Sequence, residues 1–282
     1  MALKKYNPTT PGRRQMTGYT FEELTTSKPF KALTHSLGRN HAWRNNTGRI
    51  TTRHQWGGHK KSYRMIDFYF VDKLDIPAKI ETIEYDPYRT SYIALVCYRD
   101  WERRYVIAHK DMKVWDEMVT SKNAKLISWN RLEIWNIPVG LSIYNVEIIV
   151  WKGASSVRSA GSSATILSQE WEYTQVKMPS GEIRLVHKLC YATLGVVSNI
   201  DHNQVVIGKA GRSRWKWIRP TVLGKSMNPV DHPHGGWEWH SPIGMPYPKT
   251  PWGKPALGVK TRKRKDTNKW VLRKRDWRLM KK

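Results

Sequence analysis

The stretch Met227–His240, MNPVDHPHGGWEWH, crowds Asp231, His232, His234, Glu238 and His240 into one short segment. Three chemistries use such residues. A metal cage would take His and Asp as ligands, but zinc needs three or four in fixed geometry, and Pro233 locks the backbone between the two histidines. An Asp beside a His is the composition of a general-base pair. The chain has no nucleophile motif, no phosphate-cradling P-loop and no second catalytic segment to complete one. RNA packing is the third: Gly235 and Gly236 allow close backbone approach, while Asn228, His232 and His234 can donate to phosphate and 2′-hydroxyl oxygens. RNA contact through Asn228, Asp231, His232 and His234 is therefore expected, with no metal held by the protein. His232 remains the candidate for a catalytic part, and a metal-dependent RNA-acting enzyme using the Asp231–His240 loop remains the alternative.

Other segments repeat the polyanion chemistry. In GRITTRHQWGGHKKSYR (48–64), Arg49, Arg53, Lys60, Lys61 and Arg64 supply cations and His54 a further donor, around the bare backbone of Gly57 and Gly58. In KAGRSRWKWIRP (209–220), Lys209, Arg212, Arg214 and Arg219 alternate with Trp215 and Trp217, a mixture suited to irregular RNA with exposed bases. The run TRKRK adds Arg262, Lys263, Arg264 and Lys265, and Arg273, Lys274 and Arg275 follow. Arginine grips phosphate through two parallel hydrogen bonds, which lysine cannot do.

Across 282 residues there are 49 Lys and Arg against 23 Asp and Glu, a net charge of +26 that no neutral metabolite requires. The excess is uneven: residues 1–64 carry +11, 65–204 carry −1 and 205–282 carry +16. A neutral folded body between two basic arms is expected, the arms ordering on RNA because they lack apolar residues for a core. No apolar run is long enough to span a bilayer, and MALKKYNPTTPGRRQ has no apolar signal region. Two cysteines, Cys97 and Cys190, suit a reducing interior.

The centre reads as short strands at hairpin spacing: SYIALVCY (91–98), YVIAHK (105–110), KLISW (125–129), YNVEIIVW (144–151), SATILSQE (163–170), YTQVKM (173–178) and EIRLVHK (182–188), with PSG (179–181) as a tight hairpin loop. Strands at this spacing with no helical period favour small barrels. The division expected is a basic extension 1–64, a barrel at 65–128, a second at 129–204 and a basic extension 205–282 threaded into RNA.

Several segments are more specific than composition: TPGRR (10–14), RNNTGRITTRH (44–54), EYDPYR (84–89), ERRYVIA (102–108), NIPVG (136–140), RSAG (158–161), GKAG (208–211), RPTV (219–222), MNPVDHPHGG (227–236) and TPWG (250–253). In this order they resemble, end to end, the universal second protein of the large ribosomal subunit in its bacterial and organellar form. The resemblance implies a mainly β chain, an OB-fold-like barrel followed by an SH3-like barrel, with long basic extensions at both ends. It implies a structural, non-enzymatic constituent of the large subunit that binds rRNA near the peptidyl transferase centre and supports subunit assembly and association. Expected partners are large-subunit rRNA, neighbouring ribosomal proteins and the small subunit across the intersubunit bridge, with no membrane. No cofactor is expected, magnesium being associated with rRNA. The ribosome would be in a bacterial cytoplasm or, alternatively, in an organelle matrix or stroma that encodes the chain. Arg89 and Arg158 match family arginines that hold rRNA from the barrels, and His232 matches a position that organises rRNA near the reaction centre.

Set against the family pattern, Trp43, Trp56, Trp101, Trp115, Trp129, Trp171, Trp217, Trp237 and Trp239 stand where glycine is usual. New rings stacking on bases would be one explanation. The other is a codon read as tryptophan that means glycine, and a single repeated exchange favours it.

Overall fold

The computed structural model describes residues 3–37, 44–236 and 242–275. Trp43, Trp237, Glu238, Trp239 and His240 lie outside them. The chain forms two units, one of 1–38, 60–209 and 268–282, the other of 39–59 and 210–267.

The first unit is mainly β, as expected. The sheet of the OB-fold-like barrel runs in the order Arg103–Ile107, Ile93–Tyr98, Ala78–Glu84, Glu117–Met118, all antiparallel. Its alternation buries Ala78, Ile80, Ala94, Val96 and Val106 in one core. Ile93, Leu95 and Tyr105 face the other way, onto Phe30 and Leu33. The SH3-like barrel is built on the order Val271–Arg273, Ile183–His187, Tyr173–Lys177, Ala164–Glu170, Ser142–Tyr144, Tyr191–Leu194, Arg131–Glu133. Its core gathers Ile134, Ile137, Ile143, Ile166, Val176 and Val186. Burying a side chain of this size contributes about 1.5–3 kcal/mol.

A buried ion pair lies on the end strand of this sheet, Arg131–Glu133. Arg131 is 0% and Glu147 1% exposed. Arg131 Nη2 donates to Glu147 Oε1 at 2.9 Å and Nη1 to the Asn145 carbonyl at 2.7 Å, while Glu147 Oε2 accepts the Tyr191 N–H. The guanidinium also lies 4.8 Å from the Phe70 ring centroid.

The barrels are stitched together at His109, which is 5% exposed, bridges to Val197 and accepts the Asp111 N–H on Nδ1 at 3.0 Å. Burial holds its pKa below the usual 6.5, outweighing Asp111. Folding therefore disfavours the protonated ring, and the unfolded chain binds the proton more readily. Stability is expected to fall as pH drops below about 6.5, until the folded-state pKa is passed. Comparing pH-dependent melting with His109→Gln checks this: the variant should lose part of that dependence, and an unchanged profile would exclude His109 as its source.

Some expected strands differ. KLISW forms turns with Leu126 and Ile127 exposed, because neither packs on a sheet. YNVEIIVW leaves the sheet after Tyr144: Asn145 takes a positive φ, and Glu147 turns in to meet Arg131. Ala78–Glu84, a central strand, carries a register shift between Ile80 and Thr82 that breaks the alternation a sequence reading relies on. The extension expected over 205–282 contributes Val271–Arg273 to the body, where buried Val271 pairs with Arg184. Parts of 1–64 also join the body: Leu3–Lys5 pairs with Thr17–Tyr19, and Thr34–His35 with Tyr63–Arg64.

Candidate nucleic-acid interface

Arg89 and Arg158, 69 positions apart, meet at one open cleft of about 450 Å³ in the first unit, together with Tyr63, Phe68 and Tyr88. Fully buried Asp86 fixes the loop: it accepts the Tyr88 N–H at 2.8 Å and Arg89 Nη1 at 2.5 Å, while Arg89 Nη2 donates to Tyr63 Oη at 3.1 Å. Arg158 lies over Phe68, 4.4 Å from the ring centroid, and donates to the Ala154 carbonyl. Burial and then the nearby Arg89 charge lower its pKa. Two like charges held by rings and only one carboxylate make a place where an incoming phosphate gains from both. Lys61 adds its ammonium 5.7 Å from the Tyr88 ring. Sequence reasoning named the cations and missed this aromatic frame, whose signal is Tyr63, Phe68 and Tyr88 flanking basic residues.

Arg64 differs from expectation. It is only 6% exposed, donates to the Ser62 carbonyl, and lowers the pKa of buried Glu84 against the larger effect of burial, so its charge serves the body. Lys60 and Lys209 are exposed.

The second unit gathers Arg49, Arg53, His54 and His232 around an open cleft of about 780 Å³. Its sequence holds 16 Lys and Arg against 3 Asp and Glu. Arg49, Arg53 and Arg219 are exposed and form no ion pair among the described residues. His54 Nδ1 donates to the Pro220 carbonyl at 3.2 Å. Arg212 and Arg214 lie half-buried on the helix Ala210–Trp215. Arg262, Lys263, Arg264 and Lys265 are all exposed, as are Lys274 and Arg275 in the first unit.

In the opening loop His232 is 8% exposed, its ring lying against Gly224 where a Cβ would come within 2.5 Å. Its Nδ1 accepts the His234 N–H at 3.0 Å, and His234 Nε2 accepts the Lys249 N–H at 2.8 Å. Burial, then His234 and Arg53, depress the His232 pKa. The Nδ1 that a partner carboxylate would hold in a general-base pair is thus taken by backbone. Asp231 is exposed, and Asn228 uses its carbonyl to close the turn onto the Asp231 and His232 N–H groups. Among the described residues no three His, Cys, Asp or Glu side chains come together as a metal site.

Two family models match the chain. The RNA-binding N-terminal domain of ribosomal proteins L2 matches residues 30–120, and the C-terminal domain of the same proteins matches residues 129–253. These matches cover both barrels apart from the strand Val271–Arg273, together with the cleft of Arg89 and Arg158 and the His232 loop. The chain therefore belongs to the ribosomal protein L2 family, structural rRNA-binding proteins of the large ribosomal subunit.

Proposed function

We propose that the protein holds large-subunit rRNA near the peptidyl transferase centre, supporting subunit assembly and association without performing chemistry itself. The observation that carries this reading is the surplus of cations over carboxylates in the second unit, together with a preformed arginine cleft in the first. Each phosphate neutralised releases condensed counterions, so many contacts give strong, salt-sensitive binding. Arg49, Arg53 and Arg219 supply charge, and the buried His232 ring shapes its loop so that bare glycine backbone approaches RNA. Magnesium at such a surface belongs to the RNA phosphates. Neighbouring ribosomal proteins and the small subunit complete the partners, in a bacterial cytoplasm or in an organelle that encodes the chain.

The cleft supplies the test. Arg89→Ala and Arg158→Ala are each expected to weaken binding of an rRNA fragment by about 1–3 kcal/mol, with unchanged circular dichroism. Unaltered affinity in both variants would remove the cleft from the interface.

A further inference from the structure

Seven of the eleven described tryptophans, Trp56, Trp101, Trp115, Trp129, Trp151, Trp171 and Trp217, have φ between 50° and 148°. Twelve of the eighteen described glycines have positive φ, and only seven residues of all other types do. Tryptophan thus visits the left-handed half of the map as often as glycine does, although its Cβ is penalised there like that of any L-residue.

The turns are specific about what they want. Trp101 donates its N–H to the Tyr98 carbonyl at 2.9 Å, and Tyr98 donates to the Glu102 carbonyl at 2.9 Å. The same pattern closes the other hairpin, where Gly181 donates to Met178 at 2.9 Å and Met178 to Glu182 at 2.8 Å. Gly181 has φ +85° and Trp101 φ +66°, so one bulged hairpin is written once with glycine and once with tryptophan. Trp171 is the first residue of the two-residue loop between paired Glu170 and Tyr173, a position where positive φ selects glycine. The helix Ala210–Trp215 ends with Trp217 donating to Arg214 and Ile218 donating to Ser213, the double bond pattern of a cap whose left-handed residue is usually glycine. Trp115, Trp129 and Trp151 each occupy the third place of a turn closed from the fourth residue to the first, again a glycine place when φ is positive.

Selection for a stacking ring would choose a side chain and leave the backbone indifferent. It gives no reason for rings to collect at left-handed residues. Trp215 and Trp270 behave as tryptophan should: neither has positive φ, one lies in a helix, and the other sits 5.2 Å from the Tyr173 ring.

We infer that the chain made in its own cell carries glycine at these seven positions, through a codon such as UGA that some genetic codes read as tryptophan and others as glycine. Position 151 joins the set on backbone geometry alone. The cleft that Trp101 and Trp115 help to line then loses both rings. The inference is independent of the ribosomal role.

Tandem mass spectrometry of the protein isolated from its own cells tests it. Peptides spanning the seven positions should each be lighter by the tryptophan-to-glycine residue difference, while the peptide containing Trp270 keeps the tryptophan mass. Tryptophan masses at Trp101, Trp171 and Trp217 would overturn the inference. The gene offers a second reading: UGA at the seven codons and UGG at Trp215 and Trp270 supports it, and UGG throughout defeats it.

Discussion

Arg131→Met should cost about 3–5 kcal/mol of unfolding free energy, because it leaves Glu147 buried without its partner. Natural domains have only about 5–15 kcal/mol in hand, so the loss reaches a large share of the total. The methionine keeps most of the volume over Phe70, so the effect isolates the charge rather than a cavity. Pairing the change with Glu147→Leu should recover much of the stability, since replacing both members of a buried pair by apolar residues is often neutral. Urea unfolding of the single and double variants measures both. A single-variant loss below about 1 kcal/mol would mean that water reaches Glu147 and the pair is not truly buried.

Replacing Arg262, Lys263, Arg264 and Lys265 together by glutamine should lower the salt slope of rRNA binding by about 3, at roughly 0.7–0.9 per phosphate contact. These side chains are exposed, and the Arg264–Asp266 approach of 4.0 Å between groups 72% and 87% exposed contributes little to folding. Melting should therefore stay unchanged while affinity at moderate salt drops. If the slope of log affinity against log salt were unaltered, the run would be facing solvent in the complex.

The sequence makes the polyanion partner legible because charge needs no fold to be counted. It also exposes the hairpin at Pro179–Gly181, whose residues fix their own turn, and the strands on either side. What it hides is long-range. Arg131 and Glu147 belong to no motif, and only the folded chain shows that they are buried together. Arg89 and Arg158 came into view as a pair through resemblance, whereas Tyr63 and Phe68, which aim them, lie far from them in the chain and reach them only through the fold. YNVEIIVW misled for the same reason: an apolar run records burial and does not say whether a neighbouring strand is there to pair with it.

The strand Val271–Arg273 has a consequence for how the molecule is made. It covers the edge of Ile183–His187, yet the whole second unit's 210–267 segment is synthesised between them. During elongation the second barrel must wait with that edge unpaired, and an open edge is a template for any other extended chain. Synthesis of Val271–Arg273 thus closes a vulnerable interval, and a nascent chain stalled within the basic 210–267 segment would expose both an unsatisfied strand edge and uncovered Arg and Lys side chains at once.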